Sequence, residues 1–534
     1  MRIAAHRGNR LHAPENTLTA LISGYTGGAD ALAFELQLTA DDQLLLCHDA
    51  TTERVAGTAG VVAEMRLAEL RRLDFSETFA PRHSQGFAYY PGTRRMAPAT
   101  FAHALEALPE EVELLIELIH PPGAADARRE TLVRATADTI AAHNIANRVV
   151  VCSRDADALR GIRRALPQLR IVTRAEALPP QAQIELMREV GADGLATALE
   201  AVFADGELTG FGRLLQAAHA DGALRVGAIL RPQRSPAVFE EAEWRALRDQ
   251  AFVWALCTDS TFDTAFCRPS LTLIDEAFAG IAIDRERFAF GYAKANRYAV
   301  VGQDDGVHIR IGEYAFPPEP TDPLERRLQS LHDRLVNVAR EWPYYSGGGV
   351  GCIQGVRGDF AAEVDYTAER VGQATTLEMA ALNVDPGAHR GAAPASFRDK
   401  DSFYDPHGAP PYVGVEHDED DGMRINWNLG TEYDNNQYGR PVGDGTVLGG
   451  RLRLERRGAY FSAYYRNDAD ARDWVCCGVA RNDSLNPVVY LRCVGKRWRQ
   501  ESETDPSVYL PVIPNHFVFR HWRIVRHPQP SRSG

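Results

Sequence analysis

What constrains this chain most is an alternation, sustained from residue 1 to about residue 265, of short apolar runs with longer segments of helical period. The runs are Arg2–Ala5, Ala31–Glu35, Leu44–Cys47, Glu113–Leu118, Arg148–Cys152, Leu169–Val172, Leu224–Leu230 and Phe252–Leu256. Between them, stretches such as "ENTLTALISGYTGG", "ATFAHALEALP", "ETLVRATADTIAAHN", "DADALRGIRRALP" and "FGRLLQAAHADG" repeat Ala and Leu at three- and four-residue steps, the spacing of one helix face. Strands joined through helices must run parallel, because a parallel pair needs a long crossover. Eight such runs over this length predict a (β/α)8 barrel, also called a TIM barrel, in preference to an open doubly wound sheet.

Beyond residue 300 the texture changes. Helical period survives in "DPLERRLQSLHDRLVNVAREW", and then come alternating runs, "FAAEVDYTAE", "TTLEMAALNV", "GRLRLERRGAYFSAYYRN", "WVCCGVARN" and "PVVYLRCV", set apart by Gly, Asp and Asn turns. Period-two alternation with frequent turns predicts a mostly antiparallel β-sandwich. The expected division is a barrel over 1–265, a boundary region over 266–300 and the sandwich over 301–534, with residues 384–411 as a long Pro/Gly/Asp loop. At 534 residues the chain exceeds what one core organises, which agrees with two domains.

A formal net charge of -13 argues against general affinity for nucleic acid or anionic membrane, both of which reward an excess of Lys and Arg. No window approaches the uninterrupted apolar length of a transmembrane helix, and the opening "MRIAAHRGNRLHAPENT" lacks the apolar core of a secretion leader. The expected location is therefore the cytoplasm. The cysteines are scattered without CxxC spacing, so reduced thiols are expected rather than a metal site.

In a barrel, the carboxyl ends of the strands face a common mouth where chemistry collects. His6, Glu35, His48 and Glu117 all fall at or just past such ends. A single histidine there is more often structural than catalytic. Two imidazoles and two carboxylates together make a working set for acid–base chemistry near neutral pH.

Around these four, the residues resemble a known family. "HRG" at 6–8, "APENT" at 13–17, Gly28–Asp30 ahead of "FEL", "LTADDQLLLCHD" at 38–49, Arg54, Gly57, "AELRRLD" at 68–74 and "LIEL" at 115–118 resemble the glycerophosphodiester phosphodiesterases, up to "LCTDS" at 256–260. The resemblance implies a (β/α)8 barrel that hydrolyses phosphodiesters with a divalent cation, Ca²⁺ or Mg²⁺. It carries the acid–base pair onto His6 and His48, phosphate contact onto Arg7, and metal ligation onto Glu35 and Glu117. A guanidinium can grip two phosphate oxygens, and hard carboxylates suit such cations. For Glu15 and Asn16, capping of the first helix explains the "PENT" turn as well as a place in the site does.

Two positions depart from the pattern. The family's E-x-D reads Glu35-Leu36-Gln37 here, which puts a neutral amide at the third metal position. The lysine expected two residues past Glu117 is replaced by Ile119, followed by His120. One anion and one cation disappear together, so charge at the altered positions is conserved. Cation affinity is expected to be low or lost. Arg154, Arg174 and Arg231 are candidates to restore positive charge, against ordinary surface placement for each. "SRD" at 153–155 and "AILRP" at 228–232 lack the family's aromatics, which implies a reshaped alcohol pocket.

The leading reading is thus a hydrolase of a small phosphodiester. The alternatives are a glycoside-cleaving barrel using Glu35 and Glu117 and a carbohydrate- or lipid-binding protein without turnover. The second half resembles concanavalin-like sandwich modules by strand pattern. Tyr412, Trp427, Tyr433 and Tyr438, lying near Asp418, Asp420, Asp421, Asp434, Asn435 and Asn436, are its candidates for sugar contact, although core packing explains most aromatics in a sandwich and "EHDEDD" reads most simply as a solvated turn.

Overall fold

The computed structural model describes residues 1–79, 96–120, 125–261, 264, 271–282, 284, 286–291, 299–312, 322, 324, 345–369, 375–383, 411–418, 422–430, 437–439, 447–466, 474–498 and 514–527. The chain divides into two compact units, one comprising Met1–Pro81 and Pro91–Ser270, the other beginning at Leu271. Within the stretch 266–300, read from sequence as a boundary, Leu271–Glu276 and Phe288–Gly291 are already sheet strands of the second unit.

In the first unit the strands in chain order are β1 (Arg2–His6), β2 (Ala31–Leu38), β3 (Leu44–Leu46), β4 (Glu113–Leu118), β5 (Val149–Ser153), β6 (Arg170–Arg174), β7 (Gly194–Ala198), β8 (Phe203–Ala204), β9 (Glu207–Leu208), β10 (Gly227–Arg231) and β11 (Val253–Thr258). Eight of them, β1, β2, β4, β5, β6, β7, β10 and β11, pair in parallel, and β1 closes the ring by pairing with both β11 and β2. The interior is filled by small and medium side chains, Ala4, Ala33, Val150, Cys152, Val172 and Ile229 among them, with Trp254 at the wider end of the size range. Such filling makes the barrel a packed core, not a pore.

The expected number of barrel strands holds, but its membership changes in two places. Leu44–Leu46 is no barrel strand: β3 runs antiparallel to β2 as a short hairpin on the rim. Its three leucines are buried, and so look in sequence like any core strand. The missing member is β7, whose sequence GLATA is too weakly apolar to register as a run. Its composition has a packing cause, because a Cβ at Gly194 would sit 2.3 Å from the carbonyl oxygen of Gly227 on the neighbouring strand. All five expected helical stretches are helices, at Leu18–Thr26, Phe101–Ala107, Asp126–Ala142, Ala156–Ala165 and Gly210–Ala220, and Pro180–Val190 adds one more.

The second unit holds two antiparallel sheets of eight strands each among the described residues. Side chains bridge them: Tyr366 of one sheet hydrogen-bonds His417 of the other across 2.7 Å, and Phe288 stacks on Trp522 at 6.0 Å. Two packed antiparallel sheets are a β-sandwich. Tyr412 and the first three residues of "EHDEDD" lie in the buried strand Tyr412–Asp418, so the solvated turn expected there does not begin at Glu416, and Trp427 lies in the strand Gly422–Asn428. Residues 384–410, most of the 322–342 helical stretch, Cys267, Asp420, Asp421, Tyr433, Asp434, Asn435 and Asn436 lie outside the described residues.

One sheet of the sandwich buries charge. Glu378 accepts from Arg492 at 2.8 Å and lies 3.5 Å from Lys496, while its cross-strand neighbour Glu416 accepts from Arg424 at 2.6 Å and from Asn426 at 2.6 Å. Burial opposes both charges. Lys496 and Arg492 overcome it at Glu378, whose carboxyl is held down at about 2. At Glu416 burial prevails over Arg424, and the carboxyl is pushed up to about 7.

These opposite shifts make opposite predictions. Glu378→Gln strips the counter-charge from two buried cations and is expected to cost about 3 kcal/mol or more near neutral pH. Because the folded-state pKa lies below the ordinary value of 4.5, that loss should shrink only as pH falls from 4.5 toward 2. Glu416 binds its proton more tightly folded than unfolded, so its contribution fades as pH rises from 4.5 through 7. Melting temperatures of Glu416→Gln should therefore gain on the parent protein across that rise, whereas parallel pH curves would refute the assignment.

Candidate active site

The site begins with the backbone of the turn after β1. Arg7 has φ 59° and Gly8 φ 77°, both left-handed, so the chain reverses sharply as it leaves the barrel. At Gly8 a Cβ would lie 2.3 Å from the carbonyl carbon of Ala20, so only glycine lets this turn press against the helix Leu18–Thr26. Asn16, also left-handed at φ 58°, donates its backbone N–H to the Arg7 carbonyl at 3.0 Å. Non-glycine residues in this region carry strain, and such strain collects at functional sites.

This folding settles the "PENT" turn. The helix cap is Thr17, whose hydroxyl accepts from the Ala20 N–H at 3.2 Å. Asn16 is turned into the site instead and donates to Glu35 Oε2 at 2.9 Å. Glu15 accepts from Arg7 at 2.9 Å and from Arg54 at 2.6 and 2.9 Å. Burial works against its charge, yet the Arg54 hydrogen bond and the Arg7 charge hold the carboxyl down at about 2.

His6 ends β1 and is buried. Its Nδ1 lies 2.9 Å from Asp259 Oδ1, beyond the end of β11, and its Nε2 lies 4.0 Å from Glu35 Oε1. Burial, the largest influence, outweighs the hydrogen bond to Asp259 and lowers the imidazole to about 4. Asp259 is held well below the usual carboxylate range: burial is overcome by His6 and by Arg10, which binds both carboxylate oxygens at 2.7 and 2.9 Å. A charged Asp259 fixes a neutral His6 with its proton on Nδ1 and a lone pair on Nε2, the arrangement of a general base.

His48 follows the rim strand β3, not a barrel strand, and places its Nδ1 2.6 Å from Asp49 Oδ1. Asp49 is bound in turn by Arg54. The amide nitrogen of Gln37 donates to the carbonyls of Cys47 at 2.9 Å and Asp49 at 2.8 Å, bracketing His48 from both sides. Gln37 thus works as a clasp on the loop that carries the second histidine.

Glu35 and Glu117 sit in register on adjacent strands β2 and β4, and both line one small cavity with His6. Glu35 spends Oε1 on Arg7 at 3.0 Å and Oε2 on Asn16 at 2.9 Å; burial opposes its charge, but Arg7 and then His6 and His48 keep it below its ordinary pKa. Glu117 pairs with Arg174 from β6, though burial still raises its pKa. Arg174 also binds Glu176 at 2.7 Å.

A hard cation asks for carboxylate oxygens turned toward a common point. This donor set does not fit one. Both oxygens of Glu35 are taken by nitrogen donors, Glu117 is paired to a guanidinium, and Gln37 aims its amide nitrogen at backbone carbonyls. Among the described residues no three His, Cys, Asp or Glu side chains converge as metal ligands.

All six residues singled out from sequence, His6, Arg7, Glu35, Gln37, His48 and Glu117, lie in this region, joined by a chain of contacts. Sequence reasoning missed Asp259, Arg10 and Asp49, and left Glu15, Asn16 and Arg174 unassigned. The "LCTDS" ending held the signal for Asp259, an acid at the end of the last barrel strand.

Two consequences are measurable. Asp259→Asn keeps the shape but removes the anion that orients His6, and should lower kcat at least about 100-fold while leaving the fold intact by circular dichroism. Gln37→Asp replaces the clasp by a carboxylate facing two carbonyl oxygens. It should reduce stability by about 2 kcal/mol in denaturant titrations and leave Ca²⁺ binding in calorimetry no tighter than in the parent chain.

With the geometry in place, comparison with known proteins gives one answer. The model of the glycerophosphoryl diester phosphodiesterase family matches residues 6–228. A glycerophosphodiester phosphodiesterase of Caldanaerobacter subterraneus is 28% identical over 174 residues, 32% of this chain and 64% of the relative. One from Bacillus altitudinis is 37% identical over 78 residues, 15% of this chain and 32% of the relative. The chain thus spans less than two thirds of the curated relatives it matches. Among solved structures, a phosphodiesterase of Oleispira antarctica in complex with sn-glycerol-3-phosphate aligns with TM-score 0.39 and 19% identity, over 50% of this chain and 96% of its own. A glycerophosphodiester phosphodiesterase of Agrobacterium tumefaciens aligns with TM-score 0.38 and 18% identity, over 49% of this chain and 98% of its own. The sequence match thus lies wholly within the first unit, from His6 to the start of β10, and over that stretch the chain is similar to the glycerophosphoryl diester phosphodiesterase family.

Proposed function

We propose that the first unit hydrolyses a small phosphodiester by acid–base catalysis between His6 and His48. The observation that carries this reading is the pair of imidazoles, each held through Nδ1 by a carboxylate, at 2.9 Å for His6 and 2.6 Å for His48, with both charges felt by an arginine-bound Glu35. A phosphate brings negative charge to the mouth. Arg7 has Nε and Nη1 committed to Glu35 and Glu15, which leaves Nη2 to donate to a phosphate oxygen.

The chemistry then runs through this chain's own groups. His6 Nε2 takes the proton from the attacking hydroxyl or water as the new P–O bond forms. His48 gives the proton of its Nε2 to the departing alkoxide as the old P–O bond breaks. The products are the free alcohol and a phosphomonoester, or a cyclic ester where the attacking hydroxyl belongs to the substrate. The guanidinium groups of Arg7, Arg54 and Arg174, each already ordered by carboxylates, replace the hydration of the phosphate with fixed positive charge.

Glycoside cleavage remains the second reading, favoured by one observation: Glu117 is raised while Glu35 is lowered, the split that a general acid and its partner carboxylate require. A divalent cation is not part of the proposed mechanism, and sugar contact by the second unit draws no support from Tyr412 or Tyr438. Tyr412 is buried in a strand, and the exposed ring of Tyr438 lies 4.3 Å from the guanidinium of Arg424.

A substrate screen decides between these readings. Glycerophosphodiesters and aryl glycosides are each assayed with the parent chain, His6→Ala and His48→Ala, with and without chelator. Diester hydrolysis should fall about 1,000-fold in either variant and survive chelation in the parent. Glycoside turnover that tolerates both histidine changes would overturn the proposal, and loss of all activity on chelation would overturn its metal-free form.

A further inference from the structure

Beside the catalytic cavity, a larger one of about 610 Å³ opens over the carboxyl ends of β5, β6, β7 and β10. It shares Arg174, Glu176, Thr197 and Arg231 with the small cavity that holds His6, Glu35 and Glu117, so a molecule with its phosphorus near His6 can extend directly into it. Its volume is that of a site for a small organic ligand.

The lining is cationic in a protein of net charge -13: Arg154, Arg174 and Arg231 against one carboxylate, Glu176. These three differ in how much of their charge is already answered. Arg174 is bound to Glu117 and Glu176. Arg154 meets Glu176 only at 3.8 Å and is largely exposed. Arg231 reaches Asp259 at 3.7 Å, and its buried Nε has no hydrogen-bond partner.

A second, independent feature points the same way. Thr197, 3% exposed at the end of β7, also has a hydroxyl without a hydrogen-bond partner. Buried donors left open are expensive, and they are retained where a ligand supplies the acceptor. Among the described residues the lining contains no aromatic ring to cage a quaternary ammonium.

We propose that this cavity receives the alcohol side of the diester and that this alcohol bears its own anionic group, a carboxylate or a phosphate, held by Arg154, Arg231 and Thr197. The inference rests on the phosphodiesterase reading and names its substrate class. A neutral alcohol leaves the three donors unanswered, and a cationic one meets repulsion.

The test compares kcat/KM for glyceryl phosphodiesters of choline, glycerol, glycerate and glycerol phosphate. Glycerate or glycerol phosphate should lead choline by tenfold or more, and the better of the two identifies which anion the pocket takes. In Arg154→Ala and Thr197→Val, both checked for folding by circular dichroism, the ratio of anionic to neutral diester should fall, by about tenfold for the arginine, with KM carrying most of the change. Preference for choline, or a ratio unmoved in both variants, overturns the inference. Should no diester be turned over, calorimetry with the intact glycerate and glycerol phosphate diesters separates the two claims. Binding that weakens in Arg154→Ala keeps the anionic pocket and removes the activity, whereas no binding removes the pocket as well.

Discussion

The pairing of β1 with β11 is the constraint on which the site depends. It closes the parallel ring and sets Ala5 beside Thr258, so that His6 and Asp259, 253 residues apart, leave the barrel side by side. That neighbour sets the tautomer of His6 and the direction of its free nitrogen, while burial against the Asp259 charge keeps the ring neutral. Arg10 and the Ala237 N–H, at 2.9 Å, hold Asp259 from the other side, so the acid is itself fixed before it orients the base. A ring that closed one residue out of register would turn one partner of each pair away from the mouth.

Charge balance is the second organising principle. Each carboxylate at the mouth is matched to arginine: Glu35 to Arg7, Glu15 to Arg7 and Arg54, Glu117 to Arg174, Asp49 to Arg54, Asp259 to Arg10. Taking either partner away would strand a charge in a place of low polarizability. Arg174 brings positive charge from β6 to Glu117. The amide at 37, freed from any need for charge, is spent on holding the His48 loop through two carbonyls.

Much of this was legible in the letters alone. The alternation of apolar runs with helical spacing identified the barrel because parallel pairing forces a helix between strands; His6, Glu35, His48 and Glu117 stood out at the ends of apolar runs, and the family resemblance added Arg7 and Gln37. The errors have local physical causes. Leu44–Leu46 reads as a core strand because a rim hairpin buries its leucines as thoroughly as a barrel would. β7 escaped because close approach to Gly227 requires glycine at position 194, which dilutes the apolar signal. In the sandwich, "EHDEDD" reads as a turn because buried acids are rare, yet its Glu416 lies buried in a strand beside Arg424 and Asn426, whose proximity comes from strand pairing.

The sequence by itself determined the fold class and the family resemblance of the first unit, and it singled out the candidate site residues, since these depend on periodicity and on short motifs whose members are close along the chain. Only the tertiary structure decided what those residues can do. Whether Glu35 is a metal ligand or an arginine's partner, whether Gln37 faces a cation or a backbone carbonyl, and whether Arg154 and Arg231 lie scattered on the surface or line one cavity are questions of which side chains meet. Those meetings are set by closure of the ring and by burial, both of which join residues up to 253 positions apart, and no local pattern carries that information.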